Sequence, residues 1–247
     1  MKPTGNTILI TGGTSGIGLG LARRFASAGN AVIITGRREE LLDRISAEHP
    51  GIEAHVLDVT DPGAIADVSA RVVEEHPELN VLVNNAGIML PEDLREGGWL
   101  TVSEDTVATN LLGPLRMTAA LLPHLLGREE AAVINVSSGL AFVPLPVAPT
   151  YNATKAAIHS FSESLRVQLA GTSVQVIELV PPPVRTTLMG QQDDERSMPL
   201  EDYLSETMSL LQSVPEAGEI LVERVKFLRE AEAKGTYGEV LRLLSSI

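Results

Sequence analysis

No cysteine occurs in the chain, which removes disulfides, thiolate nucleophiles and Cys-ligated metals from the available chemistry and fits a reducing compartment, the cytoplasm. Basic residues are scarce: 19 Lys and Arg stand against 32 Asp and Glu, a formal net charge of −13 at pH 7. Repulsion of that sign argues against nucleic acid or an anionic membrane as partner, so any phosphate must be held by local groups. Long apolar runs are also missing. Residues 131–154 carry no charge, but Asn135, Ser137, Ser138, Pro144, Pro146 and Pro149 interrupt them, which predicts a strand and a loop in place of a membrane span. Met1–Thr11 holds only a short apolar run before glycines, too short for the core of an export signal. The His residues at 49, 55, 76, 124 and 159 show no metal-ligand spacing, so no metal is expected. They read as surface or helix-end residues, with His159 as a helix-packing residue.

What is present is an ordinary globular composition, 44% hydrophobic and 21% charged over 247 residues, which fits one domain spanning 1–247. β-Branched runs at 7–11, 31–35, 81–83, 132–136 and 174–180, with a shorter one at 54–57, predict buried strands. Between them lie helical patterns at 17–28, 38–48, 64–75, 103–126 and 150–170, the third opened by Asp61 as N-cap with Pro62 behind it. Strict alternation of strand and helix predicts an α/β fold, a doubly wound parallel sheet of Rossmann type in the order 3-2-1-4-5-6. A polar, acidic stretch from Thr186 to Leu200 reads as a loop, and a substrate lid is expected over about 184–215.

Directly after the first strand comes Thr11-Gly12-Gly13-Thr14-Ser15-Gly16-Ile17-Gly18. Glycines at 12, 16 and 18 permit a tight turn, close approach of backbone to a pyrophosphate, and close helix–strand packing. The helix N-terminus, at Thr14 to Ile17, then offers free N–H groups and a positive dipole end. The second strand ends in Thr35-Gly36-Arg37-Arg38. No carboxylate is there to bond a ribose hydroxyl, whereas Arg37, with Arg38 beside it, can grip a 2′-phosphate, so NADP (NADPH) is the expected cofactor. Further on, Tyr151 and Lys155 lie four apart and share a helix face. A phenol of pKa about 10 is a poor base at neutral pH, and a neighbouring ammonium would stabilise its phenolate.

These motifs, Thr11–Gly18 as T-G-x-x-x-G-x-G, Asn84-Asn85-Ala86-Gly87, and Tyr151-x-x-x-Lys155, together resemble the short-chain dehydrogenase/reductase family. The resemblance covers residues 4 to about 185. It implies that Ser138, thirteen residues before Tyr151, orients a substrate oxygen; its neighbour Ser137 should point the other way on an extended chain. It further implies that Lys155 holds the nicotinamide ribose and that Asn110 holds a water linking Lys155 to solvent. Asn85, Ala86 and Gly87 would support the adenosine ribose, Asp58 and Val59 would meet the adenine, and Pro181, Val184 and Thr186 would lie along the nicotinamide. The activity implied is hydride transfer between NADP(H) and a carbonyl or alcohol, and the assembly implied is a homodimer or homotetramer built on the two long helices.

Departures from the family pattern are confined to the last quarter. Pro182 stands where the family usually has glycine, in Pro181-Pro182-Pro183-Val184-Arg185-Thr186, and stiffens the chain while removing an N–H. The tail from Gly235 to Ile247 lacks the family's seventh-strand pattern, which leaves a seventh strand in doubt. The opening Thr4–Thr11, the triple proline and this tail resemble the DltE-like branch. Apolar segments at Leu140–Val147, Met89-Leu90 and Leu188-Met189 suggest a hydrophobic substrate of small to medium size. Two other reaction types of this fold are disfavoured: isomerases usually carry T-G-x-x-G-x-x-G, and enoyl reductases space Tyr and Lys further apart. A dinucleotide sensor or scaffold without catalysis is the alternative from another class, since fold alone does not establish chemistry.

Overall fold

The computed structural model describes residues 2–246. Seven strands, β1 (Thr7–Thr11), β2 (Ala31–Gly36), β3 (Ile52–Val56), β4 (Val81–Asn84), β5 (Ala131–Val136), β6 (Val174–Leu179) and β7 (Glu219–Ile220), form one parallel sheet in the order β3-β2-β1-β4-β5-β6-β7. The alternation predicted from the sequence produces this topology, because each helix carries the chain back to the edge from which the next parallel strand starts. The helices are α1 (Gly16–Ser27), α2 (Glu39–Glu48), α3 (Pro62–Glu75), α4 (Trp99–Val107), α5 (Gly113–Leu126), α6 (Pro149–Gln168), α7 (Leu200–Ser213), α8 (Lys226–Arg229) and α9 (Tyr237–Ser245).

Successive strand residues serve opposite faces. Ile8, Ile10, Val32 and Ile34 pack with Leu21 and Phe25 of α1 and Leu42 of α2, while Leu9 and Ile33 pack on the other side with Val68 of α3, Met117 of α5 and Leu165 of α6. The strands are therefore apolar without polar alternation, as a sheet covered on both faces requires. Helix α3 starts as the sequence predicts: Asp61 Oδ1 accepts from the N–H groups of Gly63 and Ala64 at 2.8 and 3.1 Å, with Pro62 in the first turn.

Three features differ from expectation. The doubtful seventh strand exists, but at Glu219–Ile220, upstream of the tail. Two residues show no periodicity, and they become a strand only because the edge of β6 offers partners at Glu178 and Leu179. The helix expected at 103–126 begins at Trp99 and is interrupted by one π-helical turn, Ala108–Leu112. The segment expected as a lid divides in two: Leu188–Asp193 is a short 3₁₀ stretch with no buried residue, while α7 is part of the main core through Tyr203 and Leu204. Leu204 lies against α1 so closely that a Cβ on Gly20 would collide with its Cδ1. Among the described residues no helix is long and apolar enough to cross a membrane.

Truncating Leu204, a fully buried side chain, should cost about 2–5 kcal/mol in a Leu204→Ala variant, read as a lower urea midpoint. A midpoint unchanged from wild type would mean that α7 moves with the segment before it and is not core.

Candidate active site

The site lies beyond the C-terminal ends of β1, β4, β5 and β6, where loops from separate parts of the chain meet. After β1 the chain turns through Gly12 and Gly16, both in the left-handed region at φ +67° and +53°. A Cβ on Gly12 would come within 2.8 Å of the Ala86 Cα, and one on Gly18 would strike the Asn85 amide and the Gly12 carbonyl. Asn85 explains the tightness: its Nδ2 donates to the carbonyls of Thr11 and Gly12 at 2.9 and 3.1 Å, and the N–H groups of Asn85 and Ala86 both donate to Thr11 Oγ1. Gly13, not singled out from the sequence, is equally constrained, since a Cβ there would lie 2.5 Å from the Ile34 Cβ. The β1 turn and the end of β4 are thus locked together, with Gly87 beyond them exposed.

Ser15 occupies the N-cap position of α1 without a side-chain cap bond, so the turn formed by Thr14, Ser15, Gly16 and Ile17 opens the helix with its leading N–H groups uncapped by that side chain. Thr186 lies over this turn, its Cγ2 within 3.3 Å of where a Gly16 Cβ would be. At the end of β2, Arg37 and Arg38 are exposed; Arg38 Nη2 donates to Thr14 Oγ1 at 3.0 Å and so stretches across to the glycine turn. Asp58 accepts from the N–H and hydroxyl of Thr60; its modest burial raises its pKa, but these bonds and the nearby charge of Arg37 leave it below the usual carboxylate value. Val59 is buried beside it against Gly113. This surface suits a dinucleotide with a phosphorylated ribose: free N–H groups for the pyrophosphate, two guanidinium groups, and no carboxylate on the turn that carries them.

The predicted reactive side chains come together. Tyr151 is in the first turn of α6 and Lys155 one turn on; Ser138 caps the 3₁₀ turn Gly139–Ala141 after β5, its Oγ accepting from the Leu140 N–H at 3.1 Å. The Ser138 hydroxyl lies near that of Tyr151. Ser137 points away, toward the Leu179 carbonyl. The Lys155 ammonium donates to the Val136 carbonyl at 2.8 Å and lies 5.6 Å from the Tyr151 ring centroid. Asn110 sits in the π-helical turn, a distortion common at functional positions, and clamps Ile88 through both its backbone groups at 2.8 Å. Its Nδ2 also reaches Thr154 Oγ1 at 3.4 Å. Asn84, on the sheet side, donates to Thr118 and Asn135. The triple proline is anchored as well: Pro181 accepts from the Gly139 N–H, Pro183 from the Met198 N–H, and buried Val184 pairs with Met198; buried Pro182 lies between them.

Burial dominates the electrostatics, and one expectation is corrected here. Desolvation pushes the Tyr151 phenol up to about 12, with the Ser138 hydroxyl opposing, so the predicted stabilisation of phenolate by Lys155 does not prevail. Desolvation likewise brings Lys155 down to about 8, against the charge of Glu178. At neutral pH the tyrosine is a protonated phenol.

The walls around Tyr151 are apolar. Met89, Leu140, Val143 and Ala148 pack with it, and Leu145, Leu188 and Met189 lie against them, as the sequence suggested; Leu90 and Val147 instead face outward. The other wall was missed: Leu228, Ala231, Val240 and Leu244 of the C-terminal segment belong to the same cluster, with Leu241 beside them. The amphipathic pattern of α9 marks it as half-buried, but nothing in the sequence says that its apolar face meets Tyr151. The histidines are placed much as expected: His49 and His76 end helices, and His159 packs inside α6, where it meets Phe142 and pairs with buried Glu178. Glu53, His55 and Glu75, and separately His159, Glu178 and Glu219, bring ligand-type atoms within 4.8 Å, groupings invisible as sequence spacing.

The family profile described as short chain dehydrogenase matches residues 6–197. The chain is 44% identical over 237 residues to the uncharacterized oxidoreductase DltE of Bacillus subtilis (strain 168), covering 94% of this chain and 93% of the relative. It is 36% identical over 175 residues to the NADP-dependent 3-hydroxy acid dehydrogenase YdfG of Salmonella typhi, covering 70% and 71%. Among solved structures, the closed form of a serine dehydrogenase complexed with NADP+ superposes with a TM-score of 0.78 at 31% identity, covering 87% of this chain and 93% of that one.

With Tyr151 held at about 12 by burial, the folded protein keeps its proton where an unfolded tyrosine, near 10, has lost it. Tyrosinate absorbance of wild type and Tyr151→Phe should therefore superimpose up to a pH of about 11. A wild-type signal that appears earlier and is missing in the variant would show that Lys155 outweighs desolvation.

Proposed function

The chain belongs to the short-chain dehydrogenase family, and on that premise we propose that it is an NADP(H)-dependent oxidoreductase acting on a carbonyl or secondary alcohol of a small apolar molecule. The observation that carries this reading is the buried group of Ser138, Tyr151 and Lys155, set in an apolar cluster. The cofactor preference is supported by Arg37 and Arg38 at the end of β2, by the lack of a carboxylate on that turn, and by the NADP named for two of the similar proteins.

In this reading the uncapped start of α1, at Thr14, Ser15, Gly16 and Ile17, holds the pyrophosphate, with Gly12 and Gly18 leaving room for it. Arg37 and Arg38 pair with the 2′-phosphate, Asp58 and Val59 border the adenine, and Asn85, Ala86 and Gly87 the adjoining ribose. Pro181, Val184 and Thr186 flank the nicotinamide, and Lys155 holds its ribose. The chemistry that bound NADPH supplies is a hydride. Ser138 orients the substrate oxygen by hydrogen bonding, and Tyr151 gives that oxygen its proton, a direction favoured by a phenol held neutral. Met89, Leu140, Val143, Val240 and Leu244 exclude water and favour an apolar substrate over a sugar. Tyr151 and Ser138 are each 7% exposed, so the substrate enters when Leu188–Asp193, with Leu188 and Met189 against the cluster, swings away as a lid. Assembly as a homodimer or homotetramer belongs to the same reading, with Trp99, Leu100 and Leu112 as exposed apolar groups on the paired helices. So does a cytoplasmic location.

Titration with NADPH and NADH, followed by nicotinamide fluorescence, tests the assignment. NADPH should bind at least about tenfold more tightly, equivalent to about 1.4 kcal/mol, and Arg37→Asp should erase the difference. In a screen of apolar ketones, Tyr151→Phe should lower turnover by about a hundredfold or more with NADPH affinity kept. Equal binding of NADH would sink the NADP assignment. Failure to bind either nucleotide would leave the scaffold reading in its place.

A further inference from the structure

Glu178 is a carboxylate with no contact to solvent, in the middle of a hydrophobic sheet, on the strand next to the one that carries Ser138 at its end. An ionised group there is expensive unless something compensates it. Its register partner is Asn135, whose Nδ2 donates to Ser162 of α6, so the side chains at this level face α6. On that helix Lys155 and His159 are one turn apart and share a face. His159 Nδ1 meets one Glu178 oxygen at 2.8 Å; the other oxygen, Oε1, is buried and has no hydrogen-bond partner. The charges facing this carboxylate are few: Lys155, His159 and the more distant Glu163 and Arg166 from α6, Glu219 from β7 and Arg229 from α8. Glu219 is taken up by a two-pronged pair with Arg229 at 2.9 and 3.0 Å, and Arg166 by the backbone carbonyls of Val176 and Gly218. Glu163 is mostly exposed. His159 is the group in contact, and Lys155 is the fully buried cation close by: its Nζ is bonded to the carbonyl of Val136, the residue after Glu178's register partner Asn135. Behind His159 an open depression of about 480 Å³, lined by Phe142, His159, Arg229 and Glu232, leads to solvent.

We propose that Glu178 is a positioning residue for Lys155, the buried counter-charge of its ammonium, and that His159 ties this carboxylate to solvent through the depression. The importance of Lys155 rests on the oxidoreductase reading above; its electrostatic partner does not. Glu178 opposes the desolvation that otherwise drives Lys155 to its neutral form. Without it the lysine would lose its proton at a lower pH, and with it the charge that the proposed function places beside the nicotinamide ribose.

The chain has four lysines, Lys2, Lys155, Lys226 and Lys234, so carbon-13 lysine labelling gives a spectrum simple enough to follow each by NMR, with Lys155→Met identifying the signal of interest. The wild-type Lys155 midpoint should lie at about 8. Glu178→Gln should lower it by about one pH unit or more, Glu178→Asp should recover part of the loss, and Glu163→Gln should leave it within about 0.2 unit. Should Glu178→Gln fail to fold, Glu178→Asp carries the test by itself, with a midpoint below the wild-type value expected. A midpoint that moves by less than about 0.3 unit in the folded variant overturns the proposal. The titration needs neither substrate nor nucleotide. If no carbonyl compound is ever reduced, the oxidoreductase reading fails while this result stands or falls by itself.

Discussion

Everything at the site hangs on the contact between the turn after β1 and the end of β4. The Asn85 amide takes the carbonyls of Thr11 and Gly12, while Thr11 Oγ1 takes the N–H groups of Asn85 and Ala86. Four hydrogen bonds in so small a space leave no volume for Cβ atoms at Gly12 or Gly18. Glycine is therefore required twice, once for backbone conformation and once for distance. The start of α1 is aimed by this contact, and with it the N–H groups available to an anion. A looser turn would keep the fold and lose the cradle.

The second governing condition is dryness. Ser138, Tyr151, Lys155, Asn110 and Glu178 are all buried, and they come from a 3₁₀ turn, a long helix, a π-helical turn and a strand. Desolvation moves Tyr151 and Lys155 in opposite directions, up to about 12 and down to about 8. Each shift favours the uncharged form, as a low-dielectric site must. Part of the apolar cover around Tyr151 is contributed by the C-terminal segment, far in sequence from the residue it covers. One enclosure thus moves both groups.

Much was legible in the chain because its signals are local. The glycine turn, the Asp61 cap, the four-residue spacing of Tyr151 and Lys155, and the apolar strands each depend on neighbours within a few residues. The alternation of strand and helix then restricts the topology to very few choices. The choice of Ser138 came from the family resemblance; the two-residue period of an extended chain added that Ser137 should turn away, and it does turn to the Leu179 carbonyl.

What the sequence by itself determined is therefore the parallel sheet, the membership of a family, and which side chains stand at the strand ends. Only the tertiary structure decided that Glu219–Ile220 would be a strand, that α7 would be core, that Val240 and Leu244 would cover Tyr151, and that Glu178 would face His159 and α6. The reason is physical: strand pairing, enclosure and the desolvation of a charge are properties of which distant segments meet, and no local pattern encodes the dielectric in which a residue ends up.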